Sequence, residues 1–272
     1  MLDLAPGHKL GLIVTNPVLL AGGIIGLGEA VPSEMATAQL GAVVVGPVRR
    51  GGQAGPPAPR LAEMSGGFVL SGSEQNRGLS AVIKRFARLW PRLGCPVVVQ
   101  LADREPQQLA TVAEQLSTVA GVSAFEIVVP LWADAEWVER AISTIDRRSD
   151  LPLWVKLPLA TAVTLAPVAQ VAGAVGAVVG QGLPAALPAA DSARGEPVVQ
   201  GQLYGPLTFA PMLAALLAVV RLDLGLALIA SGGIHTLAQA HQVLAAGADA
   251  LQIDSAAWIE PGLPAQLAKA LA

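Results

Sequence analysis

The chain has 272 residues and a net charge of −3, enough for one large domain or two small ones. Hydrophobic residues make up 53% and charged residues 14%, so strands buried on both faces under alanine-rich helices are expected. No basic block of the kind that tracks nucleic acid is present, which excludes that class of partner.

Residues 2–4 and 10–14 flank Pro6-Gly7 and predict a short N-terminal hairpin. Residues 18–21 read as a strand ending in Gly22-Gly23, residues 33–39 as helical, and residues 42–45 as the second strand. A Gly/Pro-rich connection over residues 46–73 is too long for an idle loop and is expected to cover an active site.

Regular alternation follows. Leu79, Val82, Ile83, Phe86 and Leu89 predict a helix face before a strand at 97–101. Leu109, Val112, Leu116 and Val119 predict the next, before a strand at 125–129. Trp137, Val138, Ala141, Ile142 and Ile145 precede a strand at 153–157, and Leu165, Val168 and Val171 precede one at 177–179. A second irregular stretch, 180–205, leads to a helix through Met212, Leu213, Leu216 and Val220.

The last unit is the most specific. An apolar run at 227–230 stops at Ser231-Gly232-Gly233, and Thr236-x-x-Gln239 then offers a capping box for a helix carrying Leu237, Ala240, Val243 and Leu244. A strand at 250–253 and a helix at 264–271 complete the count. Eight strands alternate with helices over residues 1–272 without an internal linker, which favours a single (β/α)₈ TIM barrel with an N-terminal hairpin over a doubly wound sheet. The paired N–H groups of the Gly232-Gly233 turn suit a phosphate, because glycine lets an anion approach the main chain closely.

Mean hydropathy is +0.56, and residues 157–190 carry no charge. Pro158, Pro167, Pro184 and Pro188 interrupt that run, so no membrane span is expected. Cys95 is the single cysteine, which excludes an intrachain disulfide and a multi-cysteine metal site; no metal is expected, and a buried structural thiol is favoured over a nucleophile. The first residues carry no signal-peptide core, so a cytoplasmic protein is expected.

Seven segments, in order and spacing, carry a resemblance over nearly the whole chain: NPVLLAGG (16–23), LGAVVVGPV (40–48), PPAPRLAE (56–63), PVVVQLAD (96–103), LWVKLPL (153–159), GQLYGP (201–206), and IASGGI (229–234) with LQIDSAAW (251–258). The chain resembles the dihydroorotate dehydrogenase family, FMN-containing barrels that oxidise dihydroorotate in pyrimidine synthesis. The resemblance implies a flavin across the C-terminal barrel mouth. Ala21, Gly22 and Gly23 would pass along the ring, and Lys156 would reach the N1/O2 edge, where a cation stabilises the anionic reduced flavin. Gln100 and Gln181 align with family asparagines, and Gly205 joins the cofactor set. Ser231, Gly232, Gly233, Ser255 and Ala256 belong to the turns that hold the phosphate. A strand-end lysine paired with a carboxylate is the plainer reading of Lys156.

The departures cluster in the same pocket. A family lysine aligns with Gly46, although Arg49 or Arg50 would bring charge nearby, and the glycine of the second phosphate turn aligns with Asp254. The strand-four substrate motif aligns with Val128-Val129-Pro130-Leu131-Trp132, and Leu131 occupies the base position, so no catalytic base is assigned. Ser73, Glu74 and Asn76 fall in the expected substrate loop, where Glu74 would repel an orotate carboxylate. The expectation is therefore an FMN oxidoreductase for a small molecule other than dihydroorotate. The alternatives are a non-catalytic barrel serving as a binding or assembly module, possibly without FMN, and a phosphometabolite enzyme using Glu74, Glu126 or Asp134 as acid or base. A homodimer is expected by analogy with relatives.

Overall fold

Eight of the apolar runs form one closed parallel barrel. The computed structural model describes residues 1–72, 75–189 and 197–272. Leu2–Asp3 (β1) and Ile13–Val14 (β2) pair antiparallel as the expected hairpin. Val18–Leu20 (β3) and Ala42–Val48 (β4) begin the barrel, joined by two 3₁₀ turns, Ser33–Met35 and Thr37–Gln39, where a helix was expected. Leu61–Met64 (β5) and Gly67–Leu70 (β6) form a hairpin, and Leu79–Ala81 (α1) leads to Val97–Leu101 (β7). Then Pro106–Ser117 (α2), Val122–Val128 (β8), Ala135–Asp146 (α3), Leu153–Pro158 (β9), Ala162–Val171 (α4) and Gly176–Gln181 (β10) alternate. Leu183–Pro188 (β11) and Val198–Tyr204 (β12) form a second hairpin before Phe209–Val220 (α5). Ala227–Ser231 (β13), Leu237–Ala245 (α6), Ala250–Ile253 (β14), Ala256–Ile259 (α7) and Leu263–Ala270 (α8) end the chain. The barrel order is β3-β4-β7-β8-β9-β10-β13-β14, and β14 pairs back onto β3.

Strand periodicity divides the side chains into two sets. One set, including Val43, Val99, Phe125, Val155, Val179 and Ile253, faces the helices in the main core. The other points into the barrel, where Leu19, Val44, Val98, Ala124, Trp154, Val178, Ile229 and Ala250 pack with Leu4, Ala5, Leu12 and Val14 of the N-terminal segment. Trp154 is fully buried, and its indole N–H donates to the Leu4 carbonyl at 2.8 Å. The hairpin thus plugs the N-terminal end, leaving the C-terminal mouth as the open end.

The two irregular stretches are where structure departs most from the sequence reading. β11, β12, β6 and β5 make a single four-stranded antiparallel sheet over the mouth, with Gln202 opposite Leu70 and Tyr204 opposite Phe68. Its glycines mark close strand approach, not loop. A Cβ on Gly67 would lie 2.3 Å from the Tyr204 carbonyl oxygen, and one on Gly201 would lie 2.1 Å from that of Leu70. Pro184 and Pro188 are tolerated because β11 is an edge strand.

Helix faces also shift locally. Before β7 the buried positions are Leu79, Val82, Ala87 and Trp90, and the five-residue step coincides with a π-helical turn, Val82–Phe86. That step leaves Ile83 exposed. In α4 the buried face is Ala162, Leu165, Ala166 and Ala169, while Val171 is exposed. Thr236 caps α6, its Oγ accepting from the Gln239 N–H at 3.2 Å, while Gln239 Oε1 accepts from the His235 N–H at 2.8 Å, one residue before the donor of a capping box. Among the described residues, no helix is long and apolar enough to cross a membrane.

Candidate active site

Two residues beyond the apolar inner layer, the inward register turns polar. Val98 is followed by Gln100, Ala124 by Glu126, Trp154 by Lys156, Ile229 by Ser231 and Ala250 by Gln252. At the corresponding places on β4 and β10, Gly46 and Gly180 have no side chain. A Cβ on Gly46 would lie 2.9 Å from the Gln100 carbonyl oxygen, and one on Gly180 would lie 1.7 Å from that of Ser231. No larger side chain, lysine included, fits at Gly46 in this backbone.

These polar side chains form one buried chain. Glu126 is fully buried and accepts from Gln100 Nε2 at 2.7 Å and from Gln252 Nε2 at 2.6 Å. Gln252 Oε1 in turn accepts from Lys156 Nζ at 3.0 Å, and the same ammonium donates to Ser231 Oγ at 3.2 Å. Each buried donor thus meets an acceptor, and the negative charge of Glu126 is linked through one amide to the positive charge of Lys156. Glu126 is therefore a structural acceptor in this network rather than a free acid or base. Asp134 caps α3, accepting from the Trp137 N–H at 2.9 Å.

Above this floor lies a cavity of about 720 Å³, within the usual range for a small-molecule site. Ala21, Gly22, Gly23, Gln100, Lys156, Gln181, Ser231 and Gly232 all line it, as does Asn76 on the loop side. The other four expected cofactor residues lie behind the wall. Gly205 packs against Gly67, Gly233 packs against Phe209, where a Cβ would lie 2.3 Å from the backbone nitrogen, and Ser255 and Ala256 are buried. Ser73 and Glu74 lie outside the described residues.

Val128, Pro130, Leu131 and Trp132 form an apolar wall at the end of β8, with Leu131 half-exposed to the mouth. The outer rim is basic. Arg49, Arg60, Arg77 and Arg104 line it together with Lys156 below, against Glu29 and Asp254 as the acids among the described lining residues. Arg60 reaches Gln75 Oε1 at 3.0 Å and the Arg49 guanidinium bonds Gln53. Asp103 accepts from the Arg50 N–H at 2.9 Å and orders the segment that presents Arg49. Burial pushes the Asp103 carboxyl above its ordinary range, an effect reduced by that N–H and by the two guanidiniums.

The opposite end is built from Asp254, Tyr204, Trp258 and the Gly232 turn. Phe68 stacks on Tyr204 and Trp258 packs tilted against both, with ring centroids 5.6 to 6.1 Å apart, tying the cover sheet to α7. Burial, and then the charge of Asp254, push the Tyr204 phenol up to about 12. Burial also raises Asp254 itself, although Lys156, the Ser255 hydroxyl and N–H, and His235 all pull the other way. His235 is lowered by burial more than Asp254 raises it.

The residues present accommodate a flavin unevenly. At the ring end, Lys156 offers a cation, Gln100 and Gln181 offer amides, and Gln181 Oε1 is buried without a partner, an acceptor that a ligand N–H or O–H would satisfy. At the phosphate end Gly232 stands open, with φ +116° and only Thr208 Oγ1 and Asp254 Oδ2 within 4 Å of a Cβ position. A carboxylate at Asp254 there does not fit a dianion. Sequence reading missed the roles of Glu126 and Gln252, although each is the one polar residue on the inward face of its strand.

The chain is similar to known proteins over nearly its whole length. The profile of the dihydroorotate dehydrogenase family matches residues 8–272. The catalytic subunit of dihydroorotate dehydrogenase B (NAD(+)) from Desulforudis audaxviator is 30% identical over 95% of this chain and 88% of its own length. That from Endomicrobium trichonymphae is also 30% identical, over 93% of this chain and 86% of its own. Dihydroorotate dehydrogenase A (fumarate) from Limosilactobacillus reuteri is 27% identical, over 92% and 86% respectively.

Proposed function

The chain belongs to the dihydroorotate dehydrogenase family, and from that premise we propose that it is a flavin-dependent oxidoreductase acting on an anionic small molecule other than dihydroorotate. The observation that carries the flavin reading is Lys156, held by Ser231 and Gln252 at the floor of the mouth. FMN is the cofactor of the family, and a bound flavin supplies hydride acceptance. Lys156 provides the cation that a reduced, anionic ring edge needs, and the barrel plug and cover sheet keep the floor from bulk water. The arginines of the rim support an anionic substrate, since guanidinium groups pair with carboxylate and phosphate oxygens.

Dihydroorotate itself is disfavoured because oxidation there needs a base beside the substrate carbon, and the end of β8 offers Val128, Pro130 and Leu131 instead. The same apolar wall favours a second reading, a non-catalytic barrel that binds a ligand without turning it over. Visible spectroscopy of the purified protein, before and after adding flavin, separates the two. A protein-bound flavin spectrum that bleaches with a reductant substrate but not with dihydroorotate under anaerobic mixing is expected. Prompt bleaching by dihydroorotate would overturn the substrate reading, and failure to take up any flavin would overturn the oxidoreductase reading.

A further inference from the structure

Asp254, which aligns with the glycine of the family's second phosphate turn, lines the cavity beside the Gly232 turn. Its Oδ2 lies 3.9 Å from the Cβ position of Gly232, across the open side of the turn. Its Oδ1 accepts from the Ser255 hydroxyl at 3.2 Å, and the Ser255 backbone N–H also donates to the carboxylate. Donors that would otherwise be offered to an anionic ligand are thus engaged by an anion belonging to the chain. Lys156, whose charge acts on Asp254, is already committed to Ser231 and Gln252.

We infer that Asp254 is a built-in anion filling the phosphate seat, so that the mouth takes a flavin with a neutral, hydroxyl-terminated side chain in preference to its phosphate ester. The inference rests on the flavin reading above. Hydroxyl groups complement this end of the pocket because each can donate a hydrogen bond to a carboxylate, whereas a phosphate dianion adds two like charges beside one. The unpartnered Gln181 Oε1 independently calls for a ligand carrying N–H or O–H donors in the same cavity. Ring recognition and terminal charge are thereby separated between the two ends of the site.

The test is titration of the full-length, flavin-free protein with riboflavin and, separately, with FMN, followed by flavin fluorescence and the visible spectrum at neutral pH. Wild type should bind riboflavin at least about tenfold more tightly than FMN. Asp254→Asn keeps the shape and the acceptor for Ser255 while removing the charge. It should tighten FMN by roughly tenfold to a hundredfold, the scale of one or two charge pairs at an intermediate dielectric, and weaken riboflavin by roughly threefold to tenfold as its hydroxyls lose a charged acceptor. Asp254→Gly, which removes the acceptor altogether, should also tighten FMN and weaken riboflavin further. FMN binding wild type as tightly as riboflavin, or an unchanged ratio in both variants, overturns the assignment of Asp254 and leaves the flavin reading standing. Binding of neither flavin to wild type or variants overturns both.

Discussion

Replacing Glu126 should reveal how much the buried network beneath the cavity contributes. Glu126→Ala removes the acceptor for Gln100 Nε2 and Gln252 Nε2, which approach it at 2.7 and 2.6 Å, and leaves two buried amide donors without partners. Hydrogen bonds to a charged acceptor contribute about 1.5–3 kcal/mol each, so the variant should lose roughly 3–6 kcal/mol. For a domain of this size that corresponds to a fall in Tm of roughly 5–10 °C. Glu126→Gln should be much milder. Gln252 is held in orientation by the Lys156 ammonium on its oxygen. The new amide oxygen can accept from Gln252, while Gln100 can rotate to present its own oxygen to the new NH₂ group. Only the charge assistance is then lost, about 1–2 kcal/mol. Calorimetry with urea denaturation of both variants reads the difference. Two outcomes refute the reasoning: an alanine variant within about 1 kcal/mol of wild type, or a glutamine variant as unstable as the alanine one.

Three other outcomes are expected. Lys156→Ala should weaken flavin binding at least about tenfold or lower the flavin reduction potential, read by titration and spectroelectrochemistry; an unchanged affinity and potential would remove Lys156 from the site. Because burial raises Asp254 in the fold, the folded state binds its proton at a higher pH than the unfolded chain, and the stability linked to this group rises as pH falls through the folded pKa. Asp254→Asn should therefore melt higher than wild type at pH 8, with a smaller difference at pH 5, as Lys156, His235 and Tyr204 face the site in both proteins; the opposite trend would show that its charged form is favoured in place. Burial pushes the Cys95 thiol up to about 12, so native Cys95 should resist iodoacetamide at pH 8 and be alkylated only after unfolding, and rapid native labelling by mass spectrometry would contradict this.

The barrel was legible in the chain because its signals are local. Runs such as residues 97–101 are buried on both faces and apolar but for Gln100, and α3 carries Trp137, Val138, Ala141, Ile142 and Ile145 on one buried face. The cover sheet was not legible. Gly67 and Gly201 normally mark turns, and here they are glycines because another strand's carbonyl oxygen occupies the place of a side chain. The site divides in the same way. Lys156, the Gly232 turn and the unusual Asp254 stand out by residue type and position, so their candidacy was readable from the chain.

What those residues face was decided by closure of the barrel. Glu126 and Gln252 lie 126 residues apart and meet only because the first and last strands pair, placing their inward registers in one layer. Asp254 reads in the chain as a charge that would repel a phosphate, but its bonds to Ser255 and its enclosure by Tyr204, His235 and Lys156 exist only in the folded mouth. Periodicity along a strand determines which way a side chain points. The partner it meets there depends on contacts between distant segments, which local sequence does not encode in readable form.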